Sequence, residues 1–178
     1  MYMLYALGVL VMVALLFAAS RPTHFAYTRS ATMAAGPEAV FAEVNDFHRW
    51  GAWSPWARLD PHMVSTYNGP KTGPGATFGW SSERMLVGSG YMTITELDPA
   101  HSITIDHRFR RPFDVKSTAH FTFEPAQEGT LVTWAVKGNY GLLSKIVSVF
   151  VNMDKRIGAD FERGLAALKR VVEVHPSA

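Results

Sequence analysis

A chain of 178 residues with 48% hydrophobic and 18% charged side chains has the size of one domain and too much apolar character to be a disordered one. A net charge of +2, with Lys and Arg scattered apart from Arg108, Arg110 and Arg111, lacks the concentrated basic face of a nucleic-acid binder, so no nucleic-acid partner is expected. The absence of cysteine excludes disulfides, thiolate catalysis, iron–sulfur clusters and thiolate zinc sites.

The chain opens with an apolar run, Met1 to Ala19, that carries no charged side chain. Such a run is long enough to cross a bilayer as a helix, which predicts an N-terminal transmembrane helix or signal anchor over residues 1–20 and a single-pass membrane location. The side of the membrane stays open, because only Arg21 and Arg29 flank the run. A cleaved signal peptide is the rival reading. Against it, no Lys or Arg precedes the run, and the small-residue site at Ala18-Ala19-Ser20 is followed by Arg21-Pro22.

One globular domain is expected over residues 25–175. Phe25 to Met33, rich in aromatic and β-branched residues, reads as a first strand. Pro37 to Val44 reads as a short helix, with proline in its first turn and Glu38 complementing the helix dipole. Trp50, Trp53 and Trp56 follow at a spacing that lines three indoles along one side of a short helix or turn. From Met63 to Asn139 the pattern is β. Thr77–Ser81, Val87–Leu97, Ser102–Phe109, Val115–Glu124 and Thr130–Lys137 alternate in polarity between turn signals such as Asp98-Pro99 and Glu128-Gly129. One face of these strands is apolar and the other polar, as in an antiparallel meander with one wet side. The chain closes with an amphipathic helix from about Leu142 to Val174, whose apolar stripe runs through Leu143, Val147, Phe150, Ile157, Phe161, Leu165, Leu168 and Val172.

This order of elements resembles the helix-grip fold. The stretch Val40-Phe41-x-x-Val44-Asn45-Asp46-Phe47-x-x-Trp50-x-x-Trp53-Ser54-Pro55-Trp56 is similar to the opening of polyketide cyclase/dehydrase-type members of the SRPBCC (START-like) superfamily. Thr130-x-Val132-Thr133-Trp134, Asn152-Met153-Asp154-Lys155 and Asp160-Phe161-Glu162-x-Gly164-Leu165 carry the same resemblance. It implies an α+β fold, a curved antiparallel sheet wrapped around a long C-terminal helix, with two short helices after the first strand. It also implies a cavity between sheet and helix that takes lipids, polyketide-like or other apolar molecules. The superfamily includes chaperone activators that act through protein contacts, and it transfers no fixed catalytic set.

The expected cavity wall comprises Trp53, Trp56, Phe78, Trp80, Met92, Ile94, Ile105, Phe109, Phe121, Phe123, Trp134, Val136, Phe150, Ile157 and Phe161, with His107 and Asp154 as its ionisable points. Each indole offers an apolar face and one N–H, although the same residues can serve as plain core. Asp154 falls within the apolar stripe of the helix, which makes it either a buried functional acid or a marginal residue bonded to an amide. His107 alternates with Ile105 and Phe109 and so points inward, as a base, a ligand anchor or a structural histidine. No metal site and no cofactor is expected: His101, His107 and His120 have no ligand spacing, and Gly69-Pro70-Lys71-Thr72-Gly73-Pro74-Gly75 lacks the residues of a phosphate loop. The functional expectation is binding or carrying a small hydrophobic ligand. A cyclase or dehydratase using Asp154 with His107, and a protein-interaction module whose partner the sequence does not name, are the alternatives.

Overall fold

The computed structural model describes residues 23–57, 59–85, 87–112, 114–139 and 153–174, together with the isolated positions 2, 5, 6, 8 and 12. Its elements run β1 (His24–Met33), α1 (Pro37–Val44), a 3-10 helix (Phe47–Ala52), β2 (Val64–Asn68), β3 (Thr77–Ser81), β4 (Ser89–Asp98), β5 (Ser102–Arg111), β6 (Val115–Ala126), β7 (Gly129–Asn139) and α2 (Met153–Val174). The β character that begins at Met63 resolves into β2, a short edge strand ahead of the Gly/Pro loop. Pro37 starts α1 behind an extended Gly36, since its fixed φ suits the first helical turn and its missing N–H costs nothing there. Asp46 caps the 3-10 helix, its carboxylate accepting from the His48 backbone N–H at 3.0 Å.

The strands form one antiparallel sheet in the order β1-β7-β6-β5-β4-β3-β2. All neighbours are hairpins except β1 and β7: β1 adds to the β7 edge of the β2–β7 meander, with Tyr27 opposite Val136 and Arg29 opposite Trp134. Period-two alternation then puts Val132, Trp134 and Val136 of β7, and Ala119, Phe121 and Phe123 of β6, on one buried face. α2 lies against β1 and α1. It buries Phe161, Leu165, Leu168 and Val172, residues spaced three or four apart and therefore on one stripe. Trp134 stacks with Phe161 of the helix at 4.2 Å and 3° and with its cross-strand neighbour Phe121 at 4.9 Å and 25°, so sheet and helix meet through aromatic faces.

Arg29 is a cation on the concave face, and a missing side chain makes room for it. A Cβ on Gly158 would stand 1.9 Å from Arg29 Nη2. In that gap the guanidinium donates to Glu162 Oε1 at 2.9 Å and approaches Asp154 Oδ1 at 3.5 Å, both on α2. Gly158→Ala is expected to lower the melting temperature of the wild type by displacing these pairs. In an Arg29→Ala background the same change should stabilise by up to about 1 kcal/mol, since only the helix propensity of alanine over glycine remains. Thermal melts of the four proteins check this reversal of sign.

One expectation is corrected here. Among the described residues no helix is long and apolar enough to cross a membrane, and the single-pass membrane localisation does not stand. Most of the expected span at 1–20 lies outside the described residues, as does the stretch Leu142 to Asn152, expected as helix from the sequence, with Leu143, Val147 and Phe150.

Candidate functional site

Cross-strand register sorts the concave face into tiers. Trp134, Phe121 and Ile103 form one, and Val136, Ala119, Ile105 and Ile94 the next. Then come Ser117, His107, Met92 and Phe78, and finally Phe109, Gly90 and Trp80. The first two tiers are sealed, with Trp134, Phe121, Ile103, Ile105 and Ile94 all at 0% exposure. Phe161 and Leu165 of α2 close over that end, joined by Trp53 from the segment after the 3-10 helix, which meets Trp134 edge to face at 6.0 Å.

The outer tiers remain incompletely covered. Phe78, Trp80 and His107 are half-buried and Phe109 is 38% exposed, although all four sit on the apolar side of their strands. Gly90 shapes this end, because a Cβ there would come within 2.7 Å of the Trp80 ring. Its absence lets the indole lie across β4, edge-on to Phe109 at 5.3 Å and 73°. Trp80 Nε1 donates to the carbonyl of Val87 at 3.3 Å.

His107 is the polar ring of this region. It stands between Met92 and Ser117 in register, both nearly buried, and its Nε2 is buried without a hydrogen-bond partner among the described residues. Burial pushes its pKa down to about 4, with only partial opposition from the charge of Asp106, so the ring is neutral near pH 7. The Asp106 carboxylate belongs to the other face of β5, where it accepts from Thr118 Oγ1 at 2.8 Å. Trp53 Nε1 and Trp134 Nε1 are also buried without partners among the described residues, inside the sealed aromatic cluster.

The other expected wall residues divide by depth. Phe123, Trp53 and Phe161 are core at no more than 2% exposure, and Met92 and Val136 are buried at 7% and 8%. Trp56 and Ile157 are half-buried against the core. Phe150 lies outside the described residues.

Asp154 is the correction. It falls about 20° from Phe161 around the helix, yet it is exposed where Phe161 is buried. What lies beneath that turn, however, is the Arg29 guanidinium, and the carboxylate is 64% exposed beside it. The acid–base pair of Asp154 with His107 does not assemble. Arg29 belongs to β1 and His107 to β5, three strand spacings or roughly 14 Å apart. Among the described residues no three metal-ligating side chains come together. Ser117 was missed; its alternation with Ala119 and Phe121 in β6 is the signal that places it inward.

A separate cavity of about 350 Å³ opens on the outer surface between the 3-10 helix and the β2–β3 loop. Phe47 and Ala76 floor it, and His48 stacks on Tyr67 at 4.0 Å. Behind it, Asp46 at 3% exposure faces His48 Nδ1 at 3.0 Å and Lys71 Nζ at 3.5 Å. Burial raises the pKa of that carboxyl, but the hydrogen bonds from His48 and the charge of Lys71 outweigh it and hold it below its usual value. Asn45 Oδ1 accepts from the Gly73 N–H at 2.9 Å and fixes the loop. This cavity shares no residue with the expected interior wall.

A family model described as "Polyketide cyclase / dehydrase and lipid transport" matches residues 24–173. No curated protein matches the chain. Solved structures share the fold at low identity. Protein CV1439 from Chromobacterium violaceum is 16% identical with a TM-score of 0.58, over 85% of this chain and 99% of that one. Protein Ms6760 from Mycobacterium smegmatis is 21% identical with a TM-score of 0.55, over 83% and 90%. The Aha1 dimer from Colwellia psychrerythraea is 16% identical with a TM-score of 0.55, over 84% and 97%.

Proposed function

The chain belongs to the polyketide cyclase/dehydrase and lipid transport family, and from that premise we propose that its concave interior binds a small hydrophobic ligand. The observation that carries the reading is the exposure gradient along one apolar face. The tiers under Phe161 are closed by protein, whereas Phe78, Trp80, His107 and Phe109 turn apolar surface inward and leave it accessible. Inward-facing aromatic surface that the protein does not cover is favourable for an apolar molecule to cover, at about 25 cal/mol per Å² removed from water.

Titration with N-phenyl-1-naphthylamine, a neutral apolar fluorophore, tests this. The full chain is expected to bind it stoichiometrically, with quenching of tryptophan emission and a rise in melting temperature by mass action. Ser117→Phe, which fills the tier opposite His107, should abolish binding while circular dichroism stays native. Absence of binding to the wild type, or undiminished binding to a folded Ser117→Phe variant, contradicts the reading.

A further inference from the structure

Resting on that reading of the interior, we propose that the ligand is an uncharged molecule, an apolar body bearing a hydroxyl or carbonyl oxygen that hydrogen-bonds to His107 Nε2, and not a carboxylate or phosphate amphiphile. The inner wall offers a polar contact here without a free charge. His107 stands beside Met92 in its tier and Phe109 in the next, with the small uncharged side chain of Ser117 opposite. Its Nε2 is buried and unpartnered among the described residues, and a buried polar atom left without a hydrogen bond costs stability until something supplies one. An uncharged imidazole nitrogen either donates to an oxygen or accepts from a hydroxyl, so a hydroxyl satisfies it in either tautomer and a carbonyl oxygen does so when Nε2 carries the proton.

An anion finds no counterion among the described residues of this wall. Arg29 is committed to Glu162 and Asp154 of α2. Arg111, beyond the irregularity that separates Ser89 from Gly90 in the β4–β5 ladder, is exposed at the rim with its Nε donating to Ser89 Oγ. Arg108 is paired with Asp114 at 3.0 Å. The low imidazole pKa agrees with this geometry, because the buried ring resists becoming a cation. Moving an ionised headgroup into such surroundings is strongly unfavourable, whereas a hydroxyl with one hydrogen bond is tolerated.

Competition against bound N-phenyl-1-naphthylamine at pH 8 tests the assignment, using 1-decanol, 2-decanone, decanoate and decane on the full chain. Decanol or decanone should displace the fluorophore at a concentration about tenfold or more below that of decanoate. Both should also outcompete decane, and His107→Leu should erase that advantage over decane. Equal or stronger competition by decanoate overturns the proposal, as does a preference for decanol over decane that survives in His107→Leu. If none of the compounds, nor the fluorophore, binds by calorimetry, the interior-binding reading itself fails. Binding without discrimination refutes only the assignment of the oxygen contact.

Discussion

Phe161→Ala is expected to destabilise the protein by about 3–5 kcal/mol, the range for deleting a large aromatic from a close-packed site. Phe161 is 2% exposed and stacked on Trp134 at 4.2 Å. Its removal would leave a void between helix and sheet that Trp134, itself held by Phe121, has little freedom to fill. Glu162→Ala, one residue on, should cost no more than about 1 kcal/mol, because its partner Arg29 is met at an exposed ion pair. Urea denaturation of both variants checks the contrast. Similar midpoints for the two would show that the helix does not present Phe161 to the sheet.

Acidification should act through His107 on the same order of magnitude. Its folded pKa, about 4, lies below the ordinary 6.5, so the unfolded chain takes up the proton more readily. The stabilising effect of the neutral buried ring is therefore complete above pH 6.5 and is lost as pH falls through 4. Between pH 7 and pH 4.5 this amounts to at most about 2.5 kcal/mol, because solvent reaching the half-buried ring screens part of the effect. Acidic groups with lowered pKa, such as Asp46 and Asp60, add losses at lower pH in any variant. The diagnostic quantity is thus the difference between proteins. His107→Leu should be less sensitive to acid across pH 6.5 to 4.5 by about that amount, measured as unfolding free energy at several pH values. Parallel curves for the two proteins would show that burial does not hold the His107 pKa down.

Local regularities in the sequence account for β1, for β3 to β7, for the helix from Pro37 and for the C-terminal helix where it is described. Alternation at period two put Phe121, Phe123, Trp134 and Ile105 inside, and helical spacing picked out Phe161, Leu165, Leu168 and Val172. Gly36-Pro37 and Glu128-Gly129 marked a helix start and a hairpin through backbone requirements of their own. The motif around Trp50, Trp53 and Trp56 pointed to the family that the match over residues 24–173 establishes.

Tertiary structure alone decided what each inward side chain meets. Periodicity fixes the direction in which Asp154 points, yet whether that direction holds a cavity or a guanidinium depends on β1 lying beneath α2 and on Gly158 leaving room for Arg29. In the same way, alternation places Trp134 and His107 on one face without telling them apart. The pairing of β1 with β7 and the placement of α2 over Trp134 close one end of that face with protein. The tier of His107, Phe78 and Trp80 is left only half covered. The difference between closed core and accessible surface arises from contacts between residues far apart in the chain, more than a hundred positions for Arg29 with Glu162, and no local pattern encodes them.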